Sequence, residues 1–147
     1  WPNDVLCNGG KIAGILLESQ GLSGPDPVLC IGIGVNLIAA PDPALVEAGA
    51  VPPVSLLQET GLRITPEAFL DALSPAYAAW EARFTSEGFA PLRAAWLAHA
   101  ARLGQRVIAR TGSETREGTF ETIDDAGNLI LRTGEGSLAI PAAEVFF

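Results

Sequence analysis

An α+β fold is predicted for this chain of 147 residues, and three observations predict it. Apolar strand-like runs crowd the N-terminal part, helix-period runs fill the middle, and short β-prone pieces alternate with turns at the end. The expected architecture is an antiparallel or mixed sheet packed with helices, followed by a small β-barrel of SH3-like size. The length suits one good core, or one medium and one small one. The texture changes near Leu103–Gly104, which gives domains 1–103 and 104–147.

The first elements follow from Val5-Leu6-Cys7 and the run Lys11 to Glu18, joined by Asn8-Gly9-Gly10. Asn and Gly tolerate positive φ, so this is hairpin chemistry. Ser19 to Pro27 is dense in turn formers and reads as a loop. Val28 to Leu37 reads as a buried strand, completing an antiparallel meander of three strands.

Asp42-Pro43 is a cap plus a first-turn proline, opening a short helix to Ala48 that Gly49 stops. Ser55 to Gln58 has the spacing of a capping box, and Gly61 ends that turn. Thr65-Pro66-Glu67 opens the longest helix, to about Ser86. Within it Phe69, Leu73, Tyr77, Trp80 and Phe84 recur every three or four residues as one apolar stripe, read as core. Pro75 is expected to kink or split this helix. Phe89-Ala90-Pro91 starts another helix, with Leu92, Trp96 and Leu103 inward. The closing β pieces are Arg106–Arg110, Gly118–Ile123, Leu129–Arg132, Leu138–Ile140 and Val145–Phe147. The turns between them are Thr111-Gly112, Asp124 to Asn128 and Gly134 to Gly136, a pattern that suits a small barrel.

Hydrophobic residues make up 48% and charged residues 18%, so the chain should fold. The formal charge of −8 argues against a nucleic-acid backbone binder, which needs clustered cations. A nucleotide pocket remains open to it, since that needs only one or two local cations. No run reaches the roughly 18 apolar residues of a membrane span, and no signal pattern opens the chain; a cytoplasmic protein is expected. Cys7 and Cys30 are read as small hydrophobes packed in strands, because no histidine lies near to complete a metal set. The chain holds no methionine, at residue 1 or elsewhere, and is therefore expected to be a fragment of something longer.

The residues able to carry chemistry lie near the start. In the strand Cys30 to Leu37, Gly32, Gly34 and Asn36 share one face. Two glycines bare the backbone there, either for a ligand lying flat on the sheet or for a closely packed helix. Asn36 at the end of that face offers both a donor and an acceptor. The glycine spacing supports neither a Rossmann turn nor a P-loop. Lys11 follows a tight turn at the mouth of an apolar strand. It is either a solvated hairpin lysine or an ammonium aimed at a carboxylate or phosphate, a contact worth roughly 4 kcal/mol at about 4 Å before desolvation. Such a charge would stabilise an anion growing during acyl or phosphoryl transfer. Asn3 and Asp4 are oxygen donors that suit Mg²⁺ or, equally, a turn or helix cap. His99 is read as a surface residue and no triad is apparent.

Taken in order, WPNDVL, GGKIAGILLE and CIGIGVNL resemble biotin protein ligase, or biotin–(acetyl-CoA-carboxylase) ligase. Ser55 to Gly61 (SLLQETG) and the β-rich end from Gly104 are also similar, so the likeness covers essentially the whole chain. It implies a class II synthetase-like biotin/lipoate ligase fold, truncated at the N-terminus, with an SH3-like C-terminal domain. It also implies an enzyme that activates biotin with ATP and Mg²⁺ as biotinyl-5′-AMP, then transfers it to a lysine of biotin carboxyl carrier protein.

By the same resemblance Lys11 and Asp4 would be catalytic. Lys11, Gly14, Ile15, Gly32 and Gly34 would bind biotin. Asn3, Asp4, Lys11 and Asn36 would hold ATP or the adenylate, with Asn3 and Asp4 on the metal. The family's Gly/Arg-rich biotin loop precedes its WPND element and is not in this chain, so the catalytic domain is expected to be incomplete. A homodimer through a sheet edge is a further expectation. The rival readings are a lipoate or octanoyl ligase-like protein and a non-catalytic ligase-like binding module.

Overall fold

The computed structural model describes residues 2–21, 28–47, 49–111, 114–141 and 144–146. The fold is α+β, and the chain divides into two compact units, Trp1–Phe69 and Leu70–Phe147.

In the first unit β1 (Asp4–Cys7), β2 (Gly10–Gln20) and β3 (Val28–Val35) form an antiparallel sheet in the order β1-β2-β3. Asn8 and Gly9 take φ of 50° and 86° in the first turn, the positive values that the Asn-Gly pair permits. The expected meander is present, and β2 runs on to Gln20. Residues 22–27 of the expected loop lie outside the described residues.

β3 is not the buried strand that its apolar run predicts. Val28 to Gly34 are exposed, because β3 is an edge strand that packs mainly on β2 among the described residues. Cys30 is therefore exposed and Cys7 half-buried, both as free thiols. A continuous apolar run normally signals two covered faces, and that signal misleads here.

Asp42 caps a single 3-10 turn, Pro43–Leu45, its Oδ1 accepting from Ala44 N at 2.9 Å. This is shorter than the helix expected to Ala48, a residue outside those described. Helix α1 (Leu56–Thr60) begins with the predicted capping box. Ser55 Oγ accepts from Gln58 N at 3.3 Å, and Gln58 Oε1 accepts from Ser55 N at 3.1 Å. Gly61 closes the helix at φ 75°, where a side chain would be strained.

Helix α2 (Pro66–Glu87) continues through Pro75 without splitting. The missing N–H forfeits one rung, and the turns on either side hold the 22-residue helix together. Its aromatic stripe is not the core expected. Tyr77, Trp80 and Phe84 are 43%, 41% and 50% exposed. Along this helix the Arg83 guanidinium lies 5.3 Å from the Trp80 ring centre, a cation–π contact.

In the second unit helix α3 (Phe89–His99) precedes five antiparallel strands. These are β4 (Arg106–Arg110), β5 (Thr115–Ile123), β6 (Leu129–Thr133), β7 (Gly136–Ile140) and β8 (Glu144–Phe146), in the order β7-β6-β5-β4-β8. Alternation along the strands, with a register irregularity between Phe120 and Thr122, buries Val107, Ala109, Phe120, Ile123, Leu129, Leu131 and Ile140. Gly118 is required by close approach, since a Cβ there would lie 2.9 Å from Arg132 O. Helix α3 docks on this sheet: the Trp96 and Phe120 ring centres are 6.2 Å apart, and Arg93 Nε donates to Ile123 O at 2.6 Å. That docking draws the compact unit upstream of Leu103–Gly104. Among the described residues no helix is long and apolar enough to cross a membrane.

Candidate functional site: a lysine over a glycine-bared sheet

Lys11 reaches its position through an irregularity in β2. Val5 pairs with Ala13 and Leu6 with Lys11, so Ile12 is an extra residue with no partner on β1, a β-bulge. Ile12 and Ala13 are neighbours yet both buried, which strict alternation forbids. The bulge thereby brings Lys11 and Gly14 to one face. A Cβ on Gly14 would meet Lys11 Cε at 3.6 Å and Nζ at 3.7 Å, so the ammonium lies over Gly14.

The neighbouring strand extends that bare surface. Gly34 is the register partner of Gly14, and Gly32 that of Leu16. A Cβ on Gly34 would find nothing nearer than Gly14 O at 4.0 Å. Gly14 and Gly34 thus leave paired backbone uncovered beside a cation. The bare backbone leaves room for a flat group with an acid end at Lys11, one of the two readings that the glycine face allows.

Asp4 is the register partner of Gly14, and its Oδ1 stands 2.5 Å from Lys11 Nζ. Partial burial pushes the Asp4 carboxyl up, while its hydrogen bond to Lys11, together with other nearby positive charge, pulls it down, and the net result lies below its ordinary value. Asn3 continues the ladder by one residue: its carbonyl accepts from Ile15 N at 2.9 Å, and its Nδ2 donates to Ile15 O at 2.8 Å.

Two expected site residues are placed differently. Ile15 pairs with Ile33, one position from Gly14, so its side chain is on the opposite face from Gly14, Gly32 and Gly34. Only its main chain borders the patch. Asn36 turns its carboxamide to the main chain: Nδ2 donates to Val54 O at 3.0 Å and, more weakly, to Lys11 O at 3.5 Å. The structure therefore joins Lys11, Asp4, Gly14, Gly32 and Gly34, with Asn3 adjacent. Ile15 is set behind the sheet and Asn36 beside it.

The segment Pro52–Val54 joins the site without a sequence motif of its own. It lies parallel to Lys11, with Lys11 N donating to Pro52 O at 2.9 Å and Val54 N donating to Lys11 O at 2.9 Å. A Cβ on Gly10 would overlap the Val54 isopropyl group, so Gly10 is needed for this approach. The double proline, which biases preceding backbone to extended conformations, was the available signal. Among the described residues no three His, Cys, Asp or Glu side chains cluster as a metal site.

Two family models match the chain: the biotin/lipoate A/B protein ligase family over residues 1–36, and the biotin protein ligase C terminal domain over 103–147. A biotin–(acetyl-CoA-carboxylase) ligase of Paracoccus denitrificans is 62% identical over 148 residues, covering 100% of this chain and 61% of that relative. This chain belongs to the biotin protein ligase family.

A bifunctional ligase/repressor BirA of Bacillus subtilis is 32% identical over 145 residues, 99% of this chain and 44% of that protein. Among solved structures, the apo biotin protein ligase of Aquifex aeolicus superposes with a TM-score of 0.82 at 22% identity, covering 99% of this chain and 62% of that one. The Aquifex ligase in complex with biotin and ATP gives 0.76 at 21%, covering 99% and 59%. These two superpositions establish the biotin protein ligase fold. The chain spans less than two thirds of the length of each of these proteins. Every site residue expected from the sequence lies within the matched residues 1–36.

Proposed function

We propose that this chain carries the lysine-bearing part of a site that joins biotin to a carrier protein at the expense of ATP. The observation that carries it is the Lys11 ammonium held over the Gly14–Gly34 backbone. In the first step a biotin carboxylate oxygen attacks the α-phosphorus of ATP, forming the acyl–phosphate bond of biotinyl-5′-AMP and expelling pyrophosphate. In the second, a lysine amine of biotin carboxyl carrier protein attacks the acyl carbon, and AMP leaves. Lys11 would neutralise the carboxylate as it approaches and the growing oxyanion charge afterwards. The incoming acid would compete with Asp4 for that ammonium.

Mg²⁺ would be held chiefly by phosphates, with Asp4 and Asn3 as its protein oxygens. One carboxylate and one amide oxygen fit an ion that keeps most of its shell for phosphate and water. Gly32 and Gly34 would floor the biotin, and residues 104–147 would form the separate C-terminal domain. The protein would act in the cytoplasm. A homodimer would pair through the exposed edge of β3.

The test is biotin-dependent release of pyrophosphate from ATP by the intact protein. No release in the presence of biotin and Mg²⁺ would sink the proposal. Because the model matching residues 1–36 spans biotin and lipoate ligases alike, a lipoate or octanoyl ligase is the second reading. Calorimetry with biotin and with lipoate on the intact protein separates the two.

A further inference from the structure

Val54 and Gly10 fit together where the lysine-bearing hairpin meets the segment Pro52–Val54. Gly10 is buried and has no positive φ, so its backbone would accept a side chain and only space forbids one. Val54 takes that space: a Cβ on Gly10 would overlap its isopropyl group and lie 3.1 Å from its Cβ. One residue on, the same segment bonds Lys11 through both main-chain groups, at Pro52 O and Val54 N, each at 2.9 Å. This parallel bridge sets Pro53 opposite Lys11 and draws only on the polar groups of residues 52 and 54. The missing N–H of Pro53 therefore costs the bridge nothing. The two fixed proline φ angles, in turn, favour an extended segment before any bond forms.

The segment is anchored further along as well. Ser55, next to Val54, is fully buried and caps α1. From the hairpin turn, Asn8 Nδ2 donates to Glu59 Oε2 on that helix at 3.0 Å. Pro52 to Glu59 thus grips the hairpin at two points, its turn and its lysine. Lys11 needs that grip, because it follows a tight turn and precedes the bulge at Ile12, where the regular ladder is interrupted. A lysine side chain has many rotamers, and aiming its ammonium demands a rigid base.

We propose that Val54 is a positioning residue: seated on Gly10, it fixes the Lys11 main chain so that the ammonium stays over Gly14. This rests on the acid-activating role proposed for Lys11, and it deepens that role by naming the part that holds the lysine still.

The intact protein is assayed for pyrophosphate release against ATP and biotin as wild type, Gly10→Ala, Val54→Ala and the Gly10→Ala/Val54→Ala double variant, each also in a Lys11→Ala background. Gly10→Ala pushes the segment away, and kcat falls roughly ten- to a hundredfold while KM for ATP stays within about twofold of wild type. Val54→Ala creates no overlap, so it serves where Gly10→Ala fails to fold; its kcat falls roughly three- to tenfold. The double variant moves a methyl group from one side of the contact to the other and is roughly tenfold faster than Gly10→Ala alone. In the Lys11→Ala background neither substitution slows the residual reaction further, a result that mere loss of folded protein would not give. Wild-type kcat in Val54→Ala, a rise in KM for ATP with kcat retained, no recovery in the double variant, or equal losses with and without Lys11 overturns the proposal.

Hydrogen exchange on wild-type protein gives a readout that needs no variant to fold. The Lys11 and Val54 amides should be protected like the interior of β2. Exchange of those two amides at loop rates would show that the bridge is not held in solution and would equally overturn the proposal. A wild-type protein with both amides protected but no biotin-dependent turnover would fail the functional reading and leave the bridge standing, so the two failures are distinguishable.

Discussion

The Lys11 ammonium and the Asp4 carboxylate meet at 2.5 Å across β1 and β2, although their main chains are not register partners. Asp4 pairs with Gly14, and the bulge at Ile12 carries the lysine onto the face where Gly14 offers no side chain in its way. The pair is self-neutralising, so an arriving acid must displace a carboxylate already in place. Lys11→Ala in the intact protein is expected to lower adenylate formation by about 10²–10³-fold while changing stability by under about 1 kcal/mol, because the pair is partly exposed. Pyrophosphate release and a urea melt measure the two effects; full activity in the variant would remove Lys11 from the chemistry.

Asp4, with Lys11 among the groups that lower its pKa, gives an acid-side pH dependence. The Asp4 carboxyl is held below its ordinary value of 3.8 in the folded chain, so the folded state binds its proton less readily than the unfolded one. The stabilisation is fully present above that ordinary value and is lost as pH falls through the lower folded value. Thermal melts of wild type and Asp4→Asn from neutral pH downward should therefore differ at pH 5 to 7 and converge at the acid end. A gap that persists unchanged into strong acid would contradict the ion pair.

Gly10→Ala tests the strap beside the lysine. The added Cβ would overlap Val54, so the Pro52–Val54 segment must move away. The expected loss is about 1–3 kcal/mol, accompanied by faster exchange of the Val54 amide. A neutral melt would mean that the segment yields freely and lends Lys11 no support.

Ser55→Ala removes a fully buried hydroxyl that accepts from Gln58 N and donates to Gln58 Oε1 at 2.9 Å, with Ile38 O a second acceptor at 3.3 Å. Loss of the cap and of the link to the segment after β3 should cost about 1–2 kcal/mol. Equilibrium unfolding in urea decides it; an unchanged midpoint would show that water replaces these bonds.

In the second unit Phe120→Ala should cost roughly 3–5 kcal/mol, since the ring is 2% exposed and meets Trp96 of helix α3. Near-ultraviolet dichroism should lose its Trp96 signal in parallel. Retention of that signal would mean that α3 docks without the ring.

Local chemistry made much of this legible in advance. The Asn8-Gly9 turn, the Ser55 capping box and the alternating strands after Gly104 are short-range features whose side chains fix the backbone beside them. What escaped is non-local. β3 reads as buried because its residues are apolar, yet exposure depends on what packs against a strand. The stripe from Phe69 to Phe84 misleads for the same reason, with correct periodicity and no burial. At the site, residue type pointed to Lys11, Asp4 and the glycines. Simple alternation hides the Lys11–Gly14 pairing, because it places those two residues on opposite faces. Asn36 was recognisable as a polar residue at a strand end, but its partners come from Pro52–Val54, a segment that no pattern around Lys11 announces.

The unpaired Ile12 has a consequence for anyone searching genomes or designing variants around this element. With Ile12 in place Lys11 and Gly14 are three apart, so a variant that smoothed the bulge without removing a residue would turn the ammonium to the far side of the sheet from its glycine. Spacing and bulge act here as one unit: an alignment that reads three-residue spacing without the extra backbone residue would admit chains unable to bring charge and bare backbone together.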